Sequence, residues 1–457
     1  MNTETFAENA KAALQDAQLR GALRHATTIF GTKRREAAAS LSNWEELRSQ
    51  ARAIKDEVLL HLDRYLETFV QNAEGRGAKV HWARDAAEAN AIVTRLTVER
   101  GARNVVKSKS MTTEEIHLNA ALERAGMHVV ETDLGEYIIQ LAHETPSHII
   151  APAIHKTKRQ VAELFTTELG MAPTDDVDQL TSTARATLRE RFATADVGIS
   201  GVNFGIVETG TIVIVENEGN IRLTTSLPRT HIALMGIEKL LPRFADLDVF
   251  LKLLPRSGTG QALSTYQSFI TGTKRNASDE GPEELHIVLL DNGRSRMLAH
   301  PVTRQSLACI RCGACLNSCP VYQQIGGHAY GSVYPGPIGA VITPQLIGMQ
   351  KAAQLPYASS LCGACREVCP VKIDIPRLLL HLRGEISEKQ TNSHRNERLA
   401  FKLWAFVMTR PKLYEKTAIA ARLFQRFFKL PVKAWTNGRD LRPIEAESFR
   451  EHWRRTH

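Results

Sequence analysis

Seven cysteines lie between residues 309 and 369, and the 308 residues before them contain none. The first run is Cys309-Ile-Arg-Cys312-Gly-Ala-Cys315-Leu-Asn-Ser-Cys319-Pro320, which reads C-x2-C-x2-C-x3-C-P. That is the spacing of bacterial ferredoxins. Three thiolates so closely spaced can cap three irons of one cubane from a single turn of chain. Gly313 lets the backbone pass close to the cluster, and Pro320 turns the chain away. In two-cluster proteins the fourth cysteine serves the other cluster. The second run, Cys362-Gly-Ala-Cys365-Arg-Glu-Val-Cys369-Pro370, is the same motif without its first cysteine, and Ser359 stands where that residue would be. The expectation is two [4Fe-4S] clusters with crossed ligation. Cys309, Cys312, Cys315 and Cys369 hold the first, and Cys319, Cys362 and Cys365 hold the second. The eighth position is left to Ser359, water, a substrate atom or nothing, so the second cluster could also be [3Fe-4S]. Structural zinc fits poorly, because its two knuckles supply four ligands in total. An odd number of cysteines without a signal peptide argues against a disulfide framework and for a reducing compartment, so a cytoplasmic protein is expected.

The elements that must position these thiols follow from periodicity. Residues 1–75 read as a helical region, with Leu47, Ala51, Ile54, Val58, Leu62, Leu66 and Phe69 forming an apolar stripe. Residues 76–300 alternate strand and helix. Strands are expected at 79–82, 104–106, 128–130, 148–151, 197–199, 211–216, 231–235 and 284–292, with helices at 85–99, 112–125, 156–169 and 176–193. Such alternation predicts βαβ units and a mainly parallel sheet. Residues 301–390 carry the cysteines, with a Gly-, Pro- and Tyr-rich loop at 326–339 suited to wrapping a cluster, and a helix at 376–388. Residues 391–457 form a tail with helices at 399–408 and 412–430, broken at Pro411 and Pro431. Ala420, Leu423, Phe424, Phe427 and Phe428 share one face of the second, beside Lys416, Arg422, Arg426 and Lys429.

Charge singles out the same tail. The chain carries 58 Lys and Arg against 49 Asp and Glu, and the entire surplus lies after residue 380. A basic tail on a neutral body is a docking feature, directed at a partner protein or a membrane surface. No apolar run is long enough to span a bilayer. A nucleic-acid partner is not expected, since only the tail charge speaks for one. Within the α/β region two segments attract attention. Residues 107–112 join a strand to a helix and place lysines and hydroxyls at its start, a plausible anion site, with Thr112 and Glu115 in capping-box spacing. Residues 203–211 bracket Glu208 between glycines at the mouth of a strand, which makes Glu208 the candidate catalytic base. Neither a P-loop nor a G-x-G-x-x-G is present.

With its paired cysteine runs, the segments 106–115 and 200–211 and the Gly/Tyr loop, the chain resembles the lactate utilization protein B family over nearly its whole length. The resemblance implies an α/β LUD domain, similar to CoA-transferase and ribose-phosphate-isomerase folds. An all-α helical ferredoxin-type domain with two [4Fe-4S] clusters is expected to follow it. It also implies a subunit of a bacterial three-protein system that oxidises L-lactate to pyruvate, working with the other subunits and with electron donor and acceptor proteins. Its place is then the cytoplasm or the periphery of the inner membrane. Two roles stay open at this point. One is an electron carrier. The other is an enzyme subunit whose α/β domain binds the hydroxy acid through the 107–112 loop, uses Glu208 as base and employs the incompletely ligated iron as a Lewis acid.

Overall fold

The computed structural model describes residues 2–276, 278–388, 395–427 and 444–457. The chain falls into two units, Met1–Lys389 and Gln390–His457.

The larger unit is built on a six-stranded parallel sheet of β1 (Ala78–Ala83), β2 (Asn104–Lys107), β3 (His128–Glu131), β4 (Val197–Gly201), β7 (Thr230–Gly236) and β10 (Glu284–Leu290), in the order β1-β10-β7-β4-β2-β3. Its central strands are buried along their length, as a parallel sheet covered on both faces requires. Alternate residues serve opposite faces. Ile232, Leu234, Val288 and Leu290 pack into one core, while Ala233, Met235, Ile287 and Leu289 pack into another with Phe69. Helices start where acidic side chains cap them: Asp85 accepts from the N–H of Glu88, and Asp133 from that of Glu136.

Several expectations change. Residues 148–151 are not a strand. His148 Nδ1 accepts the N–H groups of Ile150 and Ala151, which curls the segment back on itself. The expected helix 112–125 is two helices, Met111–Glu115 and Leu118–Arg124, broken at His117 with φ of 53°. The cap is Ser110, whose Oγ accepts from the N–H of Thr113, and Glu115 is bound elsewhere, so the Thr112/Glu115 capping box does not form. A second sheet was not foreseen. It joins β5 (Phe204–Ile206), β6 (Thr211–Glu216), β8 (Leu240–Leu241) and β9 (Tyr266–Ile270) in the order β8-β5-β6-β9, so the strand at 211–216 belongs to an antiparallel pair and not to the parallel sheet. The loop at 326–339 ends in a helix, Gly336–Ile347, and buries Tyr330 and Tyr334 completely.

The N-terminal helices are not a separate layer. Leu23, Trp44, Leu47 and Ala51 share one core with β5, the helix Leu247–Gly258 and the cysteine-bearing residues. Arg48 donates to the carbonyls of Glu367 and Cys369, and Arg34 to that of Val368.

In the smaller unit, helices Arg395–Met408, Pro411–Phe427 and Phe449–Thr456 are present. Arg422 pairs with Glu451, and Arg450 and Arg454 pair with Glu415. Leu399, Phe401, Leu403, Trp404 and Leu423 are exposed. Phe428, Lys429, Leu430 and the break at Pro431 lie outside the described residues. Among the described residues no helix is long and apolar enough to cross a membrane.

Candidate functional site

The two cysteine runs fold the same way. In the first, Arg311 (φ 61°) and Gly313 (φ 74°) take left-handed conformations on either side of Cys312, and the short helix Ala314–Asn317 follows. In the second, Leu361 (φ 56°) and Gly363 (φ 88°) flank Cys362 in the same way before the helix Ala364–Glu367. A non-glycine residue held at positive φ is strained, and two in register mark a constrained loop. The N–H of Arg311 donates to Cys309 Sγ at 3.4 Å, and the N–H of Leu361 donates to Ser359 Oγ at 3.1 Å. Ser359 therefore occupies the structural position of the absent cysteine.

Tertiary packing sorts the thiols into two groups. Cys309, Cys312, Cys315 and Cys369 line one small cavity with Ile149, Ile338, Ile373 and Ile375. Burial pushes the Cys312 thiol up to about 12, with charge on Cys369 adding to the effect, and pushes Cys369 up to about 11. Cys319, Cys362 and Cys365 are not among the residues lining that cavity; burial pushes Cys365 up to about 12, and charge on Cys319 and Cys362 pushes in the same direction. The groups differ in access. Cys312, Cys315 and Cys369 are buried, whereas Cys362 is exposed and Ser359 half-buried. All seven thiols are free. Crowded, buried thiols of this kind become thiolates only beside compensating positive charge, which is what iron supplies. The donor set fits iron–sulfur clusters on that ground. The N–H of Ile373, donating to Cys369 Sγ at 3.3 Å, supplies the hydrogen bonding to sulfur that tunes such centres.

A second cavity, of about 270 Å³, opens where the parallel strands end. The residues that follow β2, β4 and β7 line it: Lys109 and Ser110, Val202 and Asn203, and Glu238 and Lys239. Arg294 joins them after β10, and Arg311, Cys312 and Tyr334 close it from the cysteine side. Its floor is an ion network. Arg294 is bidentate to Glu115 (2.8 Å each) and bonds Glu238 at 2.7 Å. Tyr334 donates to Glu115 at 2.7 Å and lies under the Arg311 guanidinium. Burial alone would raise the Glu238 carboxyl, but Arg294, Lys239 and Arg311 outweigh it and hold it down at about 2. Burial lowers the Lys239 ammonium to about 8, with Arg311 contributing.

Of the residues singled out in the α/β region, the 107–112 loop reaches this cavity and Glu208 does not. Glu208 is exposed, and its carboxylate accepts the N–H of Phe244 at 2.8 Å. The glycine beside it has a packing role. A Cβ on Gly210 (φ 68°) would come within 2.3 Å of the Ala73 backbone, so the turn lies directly against the helix Leu62–Glu74. Glu238, Lys239, Arg294 and Arg311 escaped the sequence reading. The available signal was position: Glu238 and Lys239 lie two and three residues past the end of β7, at the strand ends where open α/β sheets place ligands.

Three family models divide the chain between them. The LUD domain matches residues 66–290, a 4Fe-4S dicluster domain residues 305–373, and the C-terminal region of lactate utilisation protein B residues 381–457. The Lactate utilization protein B of Anoxybacillus flavithermus is 44% identical, with 99% of this chain and 98% of that one covered. This chain belongs to the lactate utilization protein B family. The Bacillus subtilis member is likewise 44% identical, over 99% of this chain and 96% of its own, and that from Geobacillus sp. (strain WCH70) is 45% identical over 99% and 97%. The family assignment accounts for the architecture seen here, a LUD domain followed by a two-run iron–sulfur region and a basic tail.

Proposed function

We propose that this protein is the iron–sulfur electron-transfer subunit of a lactate utilization system that oxidises L-lactate to pyruvate. The observation that carries the reading is that Cys309, Cys312, Cys315 and Cys369 line one cavity, while Cys319, Cys362 and Cys365 lie outside it with Cys362 exposed. Cys309, Cys312, Cys315 and Cys369 hold the buried [4Fe-4S] cluster, and Cys319, Cys362 and Cys365 hold the outer one, with Ser359 at its fourth corner. When bound, these groups supply one-electron transfer. The chain's own residues exclude water from the inner group and aim N–H donors at its sulfurs, both of which tune potential. The exposure at Cys362 gives the outer group an edge within reach of a partner, and the basic tail steers docking to an acidic surface of another subunit or of the electron acceptor. These features suit a chain working in the cytoplasm or at the inner surface of the membrane.

The test is anaerobic purification with iron and sulfide counts and electron paramagnetic resonance of the reduced protein. About eight irons per chain, with lactate oxidation that appears only when the other subunits are added, is the expected result. Zinc without sulfide overturns it. The outer group offers a sharper probe. Ser359→Cys adds a thiol where the hydroxyl now accepts from Leu361. It is expected to keep the iron content at about eight per chain and to change the resonance spectrum of the outer cluster alone.

A further inference from the structure

The geometry assigns the cavity at the strand ends as a binding site for a small carboxylate of the α-hydroxy or α-keto acid class, held by Lys239 and Arg311. The assignment rests on the proposed role in lactate oxidation for the choice of acid, and on the structure for the anion.

Charge is the first argument. Arg294 is neutralised by Glu115 and Glu238. Among the described residues Arg311 approaches one carboxylate, Glu238, at 3.7 Å; Arg294 bonds the Oε2 of that group, and the Oε1 facing Arg311 has no hydrogen-bond partner. Arg311 Nη1 is buried with no hydrogen-bond partner. Lys239 is 8% exposed, lines the cavity and has no hydrogen-bond or ion-pair partner among the described residues. Glu238 compensates Lys239 only from beyond ion-pair distance, and a buried cation so weakly paired is stabilised when an anion binds beside it.

Donor chemistry is the second argument. Asn203 Oδ1 is used by the N–H of Val215, which leaves its amide NH2 without a partner among the described residues. Ser110 Oγ accepts from Thr113, which leaves its hydroxyl hydrogen to donate. The cavity thus offers an ammonium, a guanidinium, an amide NH2 and a hydroxyl, a surplus of donors suited to a carboxylate with an adjacent oxygen. Three further acids of the lining are held by backbone N–H groups. Glu216 is held by the N–H groups of Ile221 and Arg222, Glu218 by that of Leu134, and Asp133 by that of Glu136. Ile150 and Val202 supply apolar surface for a short alkyl group. The volume, about 270 Å³, sits at the small end of ligand cavities, ~300–1,000 Å³.

Placement is the third argument. Cys312, a member of the buried thiol group, lines this same cavity, and the Gly258 Cα passes so close that a Cβ there would lie 3.1 Å from the Cys312 carbonyl oxygen. An acid bound here lies beside Cys312, a member of the inner cysteine group.

The experiment is calorimetric titration of L-lactate, pyruvate and inorganic phosphate into the anaerobically purified full-length protein, with iron and sulfide counted on each sample. Saturable binding of L-lactate or pyruvate at one site per chain, weakened at least tenfold by Lys239→Gln at unchanged iron content, is the expected result. No saturable binding to the wild type overturns the assignment, as does equal binding by the variant. Phosphate binding as tightly as either acid overturns the carboxylate class. Should Lys239→Gln lose its iron, Asn203→Ala, which removes the free amide NH2 from the cavity, carries the same test, with binding again expected to weaken at unchanged iron content. Iron counts of about eight with no acid bound would leave the electron-carrier reading standing and remove this one. Acid binding to a zinc-containing protein would do the reverse.

Discussion

Cys369→Ser is expected to empty the buried thiol group and leave the outer one, cutting iron from about eight to about four per chain. Cys319→Ser is expected to do the opposite, removing the outer cluster's signal and sparing the inner one. The two cysteines are the crossing points. Cys369 belongs by sequence to the second run but lines the cavity of Cys309, Cys312 and Cys315. Cys319 ends the first run, but its charge helps push up the Cys365 thiol, and charge on Cys362 in turn helps push up Cys319. Loss of a partner in the outer shell of a metal site alone costs about 10–100-fold in affinity or activity, so loss of a ligand should abolish lactate-dependent reduction of the acceptor. Electron paramagnetic resonance on both variants decides the matter. If Cys319→Ser instead removes the inner signal, each run holds its own cluster and the crossed assignment is wrong.

Arg294→Met should be the most damaging substitution outside the cysteines. The side chain is 3% exposed, and so is that of Glu115, while that of Glu238 is 1% exposed. Removing the guanidinium therefore strands two buried carboxylates. Breaking a buried pair in this way costs about 3–5 kcal/mol, readable as a lowered urea midpoint at pH 7. The sign of the pH dependence follows from the carboxyls. In the wild type Glu115 is held below its usual range, and Glu238 at about 2, by Arg294 against the opposing effect of burial. Their contribution is complete above the unfolded value of about 4.3 and fades as pH falls through the folded values. In Arg294→Met the same carboxylates stay buried with weaker compensation, Tyr334 and Asn292 for Glu115 and Arg311 and Lys239 for Glu238; their pKa values rise, and protonation relieves them. The deficit relative to wild type is thus expected to be largest at neutral pH and to narrow on acidification. A deficit that grows in acid, or a midpoint equal to that of the wild type, would show that Arg294 does not compensate these charges.

The parts of the molecule readable in one dimension are those governed by short-range rules. C-x2-C spacing confines three thiols to one turn, so a run of eleven residues, 309–319, announces its chemistry without help from the rest of the chain. Continuous apolar runs such as Ile232–Ala233–Leu234–Met235 announce a strand covered on both faces, because a parallel sheet needs no polar side. Short strands carry too little pattern: β5 has three residues and β8 two, and the second sheet went unseen for that reason. Glu208 looked catalytic because glycines bracket it, yet Gly210 answers to the close approach of Ala73 and Gly205 to Leu240 and Met235.

By itself, then, the sequence determined the family, the α/β-then-ferredoxin order and the identity of the thiols. It could not say that the N-terminal helices and the cysteine region form one core, nor that a cavity lined by Lys239 and Arg311 reaches Cys312. Those depend on groups brought together across long separations. Arg294 and Glu115 are 179 positions apart, and Arg48 and Cys369 are 321 apart. Whether a buried charge is neutralised or waiting for a ligand is decided by which side chains surround it in space, and folding alone fixes that set.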